Sequence, residues 1–531
     1  MIFDSTLRDG AQSNGISFTV EDKLKIVRDF DYIGVSYIEA GNPGSNPKDA
    51  EFFRRIKGTR LKNSVLTAFG STRRSGIKAE EDTNVQALLT AETPAVAIFG
   101  KAWDFHVTDI IKTTLEENLA MISDTLSFFK ERGKEVFFDA EHFFDGYKNN
   151  KEYALKVLET AKKAGADHLS LCDTNGGCFP DEIYNITKEV CEKLNMSVGI
   201  HCHNDCGVAV ANSIYAVKAG ADHVQGTFTG FGERCGNTCL TNVICDLQAK
   251  MGIVCIPPEN LTMLTRMAAE ISEIANYKLS KREPFVGKYA FAHKGGMHID
   301  GVSKAPKSFE HINPEIVGNQ RRFLTSEVAG RSTIISIIRK IAPYIEKNSK
   351  ECELVMEKLK EMEFLGYQYE GADQGFELLI RKTIGKYKPF FTLETFKIIG
   401  QYDQQVRLTP EELSKETAAA VIKVRVKGKS EITAAEGMGP VDALDKALRK
   451  ALEVFYPQLS TVRLTDYKVR VLDSKSAAAS KVRVVIESAD EEDSWSTIGV
   501  SQDIIEASLI ALTDSIEYKL IKEIEKLKEL Y

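Results

Sequence analysis

The sequence predicts a (β/α)₈ TIM barrel, a helical linker and a C-terminal α+β domain built from a tandem βββα repeat. Three observations lead there. Eight short apolar runs alternate with amphipathic stretches over residues 1–255. The segment Ala164-Gly-Ala-Asp-His168 recurs as Ala219-Gly-Ala-Asp-His223, each time between a helix-like stretch and an apolar run. From about residue 396 the pattern becomes two successive sets of three strand-like segments and a helix.

The eight runs are Ile2–Ser5, Tyr37–Ala40, Ser64–Phe69, Ala95–Phe99, Val136–Ala140, His168–Cys172, Val198–His201 and His223–Phe228. Short apolar runs bounded by polar stretches fit strands buried on both faces, and their alternation with helices implies parallel βα units. Eight such units in roughly 250 residues fit a closed barrel. An open doubly wound sheet is the alternative. Thr19–Phe30 opens on Thr19 with Asp22 three residues on, a capping-box variant. Tyr153–Ala164 is amphipathic. Pro180–Leu194 begins with a proline, which suits a first helical turn because the N–H it lacks has no partner there.

Residues 256–395 read as mainly helical, with a loop-rich stretch at Pro284–Asn319. The first C-terminal unit has strands near Phe396–Gly400, Val421–Val426 and Ile432–Ala434 and a helix over Val441–Phe455. The second has Tyr467–Leu472, Lys481–Ile486 and Trp495–Val500 and a helix over Asp503–Tyr518. Ser474–Ser480 and Asp490–Asp493 read as solvated hairpin loops. The expected domains are therefore a barrel over 1–255, a linker over 256–395 and a regulatory or dimerisation domain over 396–531.

Composition narrows the function. A chain of 531 residues exceeds the roughly 250–300 at which single cores stop growing. It is 43% hydrophobic and 27% charged, ordinary for a folded protein. A net charge of −7 argues against nucleic acid or an anionic membrane as partner. No apolar run approaches the ~20 residues of a membrane span. Met1–Asp4 leads straight into a strand-like segment, so a cytoplasmic location is expected. The ten cysteines are scattered and read as free thiols. Cys202/Cys206 and Cys235/Cys239 are spaced CxxxC rather than CxxC, which disfavours a zinc knuckle.

In a barrel the C-terminal ends of the strands converge on one face, where such enzymes place their chemistry. The first run leads into Thr6-Leu-Arg-Asp-Gly10 and the fifth ends at Glu141. The sixth ends in Asp173-Thr-Asn-Gly176, the seventh in His201-Cys-His-Asn-Asp205, and the eighth leads into Gly230–Asn237. His201 and His203 are two apart on a strand and point to one face. With the carboxylate of Asp9 they form a mixed N/O set for a divalent cation acting as a Lewis acid: Mg²⁺ or Mn²⁺, with Zn²⁺ as the alternative. A guanidinium at Arg8 suits an oxyanion developing on a bound carbonyl. Glu141, between Phe137, Phe138, Phe143 and Phe144, is expected to be partly desolvated and to orient substrate or relay a proton. The glycines of Gly230–Asn237 are wrongly spaced for a dinucleotide fingerprint, and Lys427-Gly-Lys-Ser430 lacks the upstream glycine of a phosphate loop.

Thr6-Leu-Arg-Asp-Gly-Ala-Gln12, His201-Cys-His-Asn-Asp205 and Gly232-Glu-Arg-Cys-Gly-Asn237 together resemble the α-isopropylmalate synthase/homocitrate synthase family. The likeness extends through Gly41–Asp49, Asp139–Gly146, Cys172–Gly177, Phe291–His298, Val328–Ser332 and Gly437–Leu444, and is strongest to the branch that forms (R)-citramalate. The resemblance implies condensation of acetyl-CoA with pyruvate, release of CoA, and a place in isoleucine biosynthesis. It implies that the cation chelates the keto acid through Asp9, His201 and His203, with Asn237 as a fourth, weaker ligand. It places Arg8 on the keto oxygen, Glu141 against the substrate, and Thr174 and His106 in the wall of the keto-acid pocket. His298 matches a histidine that relatives supply from the neighbouring protomer, which implies a homodimer. The C-terminal domain implies feedback inhibition by an amino acid, isoleucine for this product. One position departs from the pattern: relatives place a tyrosine shortly after that histidine, where this chain has Phe309, and Tyr289 is another candidate hydroxyl.

Three other readings compete. One is a 2-isopropylmalate synthase acting on 2-oxoisovalerate for leucine, because rejecting a bulkier side chain depends on pocket volume rather than on these motifs. Another is a retro-aldol lyase of the hydroxymethylglutaryl-CoA lyase type, disfavoured by the C-terminal repeat. The third is a non-catalytic amino-acid sensor, disfavoured by intact Arg8, Asp9, His201 and His203.

Overall fold

The computed structural model describes residues 1–294, 296–323, 338–339, 341–343, 345–346, 349–369, 372–400, 418–472, 480–490 and 493–529. Val328–Ser332 and most of Ser474–Ser480 lie outside the described residues. The chain forms two compact units: Met1–Phe291 with His311–Arg321, and Ala292–Glu310 with Arg322–Tyr531. Among the described residues, no helix is long and apolar enough to cross a membrane.

The first unit is a closed parallel barrel of eight strands in sequence order. They are β1 (Ile2–Asp4), β2 (Tyr37–Glu39), β3 (Val65–Ser71), β4 (Ala95–Lys101), β5 (Glu135–Glu141), β6 (His168–Asp173), β7 (Ser197–Cys202) and β8 (His223–Gly226). Each predicted run overlaps its strand, and closure of β8 onto β1, Ile2 opposite Val224, rules out the open sheet. α1 (Val20–Ile33) starts at the expected capping box: the Thr19 hydroxyl accepts from Asp22 N at 3.1 Å, and the Asp22 carboxylate accepts from Thr19 N at 2.8 Å. α2 spans Pro47–Ile56. The helix Pro180–Leu194 stands at its predicted limits and stops at Asn195, which takes a left-handed φ of 45°.

Alternation along the strands explains where the site sits. Phe3, Tyr37, Ala97 and Phe137 form an apolar plug inside the barrel, apart from the larger core between barrel and helices. Two residues further along β5 and β6 the interior turns polar. There Gln225 Nε2 donates to Asp139 Oδ1 at 2.8 Å and to Ser170 Oγ at 2.7 Å. The plug seals the N-terminal end, and the polar layer opens towards the C-terminal strand ends.

In the second unit, Lys350–Leu365 and Asp373–Thr383 are helices sharing a core with Ile498. Two three-stranded antiparallel sheets follow: Thr392–Gly400, Ala418–Val426 and Lys429–Gly437, then Arg463–Val471, Val482–Ala489 and Ser494–Ser501. Each is followed by a helix, Pro440–Glu453 and Ile504–Glu529, the second running eleven residues past its expected end at Tyr518. The two repeats bury one common core that includes Ile422, Leu448, Val484 and Leu512. Lys427-Gly428, dismissed above as a phosphate loop, is the tip of a hairpin with φ of 47° and 83°. Positive φ at both central residues is what a tight two-residue hairpin turn requires.

Candidate active site

Asp9 follows β1, and His201 lies on β7 with His203 just past it. Parallel closure brings them together: the Nε2 atoms of His201 and His203 lie 3.4 and 3.8 Å from Asp9 Oδ2. All three residues are buried, and one ligand atom from each lies within 4.8 Å of the others, close enough for one metal ion to reach all three. The charge states suit that use. Burial pushes His201 down to about 3, and burial also lowers His203, so both imidazoles are neutral at neutral pH and free to ligate. Burial alone would raise Asp9, but Arg8, the two histidines and the Asn237 amide hold its carboxyl below the usual range. Asn237 completes the fit. Its Nδ2 donates to Phe231 O at 3.1 Å, while its Oδ1 is buried without a hydrogen-bond partner, an orphaned hard acceptor beside the ligand set. A Cβ on Gly232 would lie 2.2 Å from Asn237 Nδ2, so the glycine makes room for that amide.

Asp9, His201 and His203 open onto a cavity of about 350 Å³ whose wall also includes Arg8, Glu141 and Thr174, whereas Asn237 lines a separate cavity. Arg8 is held from below: its Nε donates to Glu39 Oε2 at 2.6 Å, its Nη1 lies 3.3 Å from Asp9 Oδ2, and its guanidinium carbon sits 3.8 Å from the centre of the Phe69 ring. Burial opposes its charge, but Glu39, Asp9 and Asp139 keep its pKa above the ordinary value. Burial pushes Glu39 up to about 7 despite the neighbouring guanidinium. Glu141, at the end of β5, keeps a quarter of its side chain exposed, and the Lys101 ammonium pairs with it from the end of β4. Thr174 Oγ1 accepts from His142 N at 2.9 Å, and its carbonyl accepts from Arg234 at 2.7 Å. Arg234 also pairs with Asp205, fastening the Gly232–Asn237 loop to the loop after β7.

Not every expected residue joins this wall. His106 lies on a single π-turn, its ring 5.1 Å from Trp103 and 4.2 Å from His142, and is not part of the cavity lining. His298 belongs to the second unit, on the helix Gly296–Lys304, with its ring stacked on Phe309 at 4.2 Å. Tyr289 lies in the first unit, its backbone N–H donating to Lys281 O. The described cysteines are free thiols.

The motif reading missed Glu39, Lys101, Asp139, Phe69 and Phe99. The Phe69 and Phe99 rings stack at 5.2 Å and form one side of the cavity. Glu39 and Lys101 close β2 and β4, so the rule that marks strand ends as sites of chemistry would have found both.

Comparison with known proteins agrees with this geometry. Residues 1–271 match the HMGL-like family model, 285–365 the homocitrate synthase post-HMGL domain-like model, and 370–520 the LeuA allosteric (dimerisation) domain model. An (R)-citramalate synthase of Aquifex aeolicus is 50% identical over 99% of this chain and 98% of its own length. One from Geobacter sulfurreducens is 48% identical over the same shares. A probable 2-isopropylmalate synthase of Methanopyrus kandleri is 32% identical over 96% of both chains. The chain belongs to the HMGL-like family and, within it, to the group formed by the (R)-citramalate synthases.

Proposed function

We propose that the chain condenses acetyl-CoA with pyruvate and releases CoA and (R)-citramalate, using a divalent cation held by Asp9, His201, His203 and Asn237. The observation that carries this reading is the ligand set opening, beside a fixed guanidinium, into a small cavity with a phenyl wall. A cation bound there supplies Lewis-acid polarisation of the keto acid. Mg²⁺ or Mn²⁺ suits the carboxylate and amide oxygens, and Zn²⁺ suits the two imidazoles.

The chain's own groups do the rest. Arg8, held by Glu39 and Phe69, stabilises negative charge on the keto oxygen as the new carbon–carbon bond forms. That bond joins the acetyl methyl carbon to the keto carbon, and the methyl group gives up a proton. Water then cleaves the thioester and CoA leaves. Glu141 stands against the substrate, where it orients pyruvate or relays that proton, and Thr174 lines the keto-acid side. We place the keto-acid side chain against the stacked Phe69 and Phe99, where a methyl and an isopropyl substituent would be told apart. The higher identity to citramalate synthases supports pyruvate over 2-oxoisovalerate.

We assign catalysis to residues 1–255, the linker to 256–395, and dimerisation and feedback to 396–531. The match to the LeuA allosteric (dimerisation) domain supports a homodimer. So do the exposed apolar side chains Phe396, Ile399, Ile432, Val469 and Val471 on its strands. In that dimer His298 acts in the neighbouring copy's site, helping to activate acetyl-CoA or the hydrolytic water. Isoleucine is the assigned effector. The test is CoA release with a panel of α-keto acids, with and without isoleucine and leucine. Pyruvate should turn over fastest and isoleucine should inhibit; faster turnover of 2-oxoisovalerate would refute the substrate assignment.

A further inference from the structure

Asp49, in the segment Gly41–Asp49, and one lysine of α1 are given no part in the chemistry above, yet they form a deeply buried charged contact. Lys23 faces inward on α1, with 3% of its side chain exposed. Its ammonium donates to Leu7 O at 2.9 Å, Ala40 O at 2.8 Å and Asp49 Oδ1 at 2.5 Å. An ammonium has three protons, and all three are used. The other Asp49 oxygen accepts from Asn42 N at 2.9 Å. Gly41, with φ of 142°, lets that carboxylate in: a Cβ there would lie 2.4 Å from it. Asp49 sits in the first turn of α2, where the helix dipole favours a carboxylate.

Leu7 lies three residues past the end of β1 and Ala40 directly follows β2. The residues that follow them, Arg8, Asp9 and Asn42, stand in the cavity wall. We infer that Lys23 and Asp49 form a buried bracket that fixes these two strand-end loops against each other, making Lys23 a positioning residue for the reaction. A bracket whose purpose was stability alone would be replaceable by apolar side chains, because buried ion pairs rarely outperform well-packed hydrophobic residues. One that sets the loops is not replaceable in that way, because the two carbonyls and the Asn42 N–H lose the groups that aim them.

The test separates these roles and rests on the proposed condensation for its activity readout. Lys23→Met should lower kcat/KM for pyruvate about 100-fold, the cost of a displacement near 1 Å at a site built on orientation. It should also weaken Mn²⁺ binding about tenfold and lower Tm, because Asp49 is left unpaired. The double variant K23M/D49L removes both charges and should recover part of the Tm lost in Lys23→Met, while kcat/KM and Mn²⁺ affinity stay low. Wild-type kcat/KM and Mn²⁺ affinity in the double variant would overturn the inference. If Lys23→Met does not fold, Asp49→Asn keeps an acceptor for Lys23 but sets an amide against Asn42. It should cost about tenfold in kcat/KM and lower Tm, because the buried ammonium loses its counter-charge, and wild-type kcat/KM there would also overturn the bracket. Should the wild-type protein fail to turn over pyruvate, the proposed function falls. The Mn²⁺ titrations of wild type and variants then still decide the bracket.

Discussion

Replacing Phe99 by Ala should shift the keto-acid preference. Phe99 is half-buried and stacks on Phe69 at an interplanar angle of 16°, and both rings line the cavity that holds the proposed metal ligands Asp9, His201 and His203. Phe69 also lies under Arg8, so Phe99 is the ring to remove without releasing the guanidinium. 2-Oxoisovalerate exceeds pyruvate by two methyl groups. Burying each is worth about 0.8 kcal/mol once there is room, so the pair contributes about 1.6 kcal/mol. That is roughly a 15-fold change in relative kcat/KM, to which relief of steric exclusion adds. Pyruvate should lose efficiency at the same time, because its methyl group loses the phenyl contact. The assay is thiol release measured with each keto acid at saturating acetyl-CoA, as a ratio of kcat/KM values. A ratio that moves less than about tenfold towards 2-oxoisovalerate would refute the placement of the substrate side chain against this ring.

His203→Ala should abolish the metal response: Mn²⁺ binding followed by electron paramagnetic resonance should weaken about 100-fold or more, and turnover should fall at least as far. Gly232→Ala should push the Asn237 amide out of place and weaken Mn²⁺ binding by about 10–100-fold, with little change in far-UV circular dichroism. The metal-free protein should lose stability as pH falls below about 6.5. Between that value and about 3 the unfolded chain takes up a proton on His201 that the buried ring refuses. The loss should approach 1.36 kcal/mol per pH unit and be missing from His201→Asn in urea titrations at pH 7.5, 6.5 and 5.5.

Much of the molecule was legible in its sequence because the barrel repeats a local pattern. Apolar runs set the strands to within two residues, and Thr19, Asp22 and Pro180 carried their own local reasons for starting helices. Asp9, His201 and His203 were legible because parallel topology sends every strand end to one face. The supporting groups were harder to see. Lys23 sits on a helix where a lysine ordinarily reads as a solvated face, and nothing local shows that three acceptors from distant segments surround it. Phe69 and Phe99 read as core because an apolar side chain in a strand gives no sign of whether it faces a helix or a cavity. His106 was placed in the pocket by resemblance alone, and its ring packs against Trp103 and His142.

The ligand set also spans the place where the barrel closes. β1 has three residues and β8 four, and they meet edge to edge although they begin 221 residues apart, at Ile2 and at His223. Asp9 leaves one side of that join, the histidines leave β7 on the other, and the His203–Asn237 bridge crosses above β8. A cation held by these residues is therefore also a clasp on the seam between the first strand made and the last. Above its dissociation constant, each tenfold rise in its concentration adds about 1.4 kcal/mol to the folded state. Chelation should accordingly show first as fraying of β1 and β8, a join of three residue pairs, before the seven-residue strands β4 and β5 loosen.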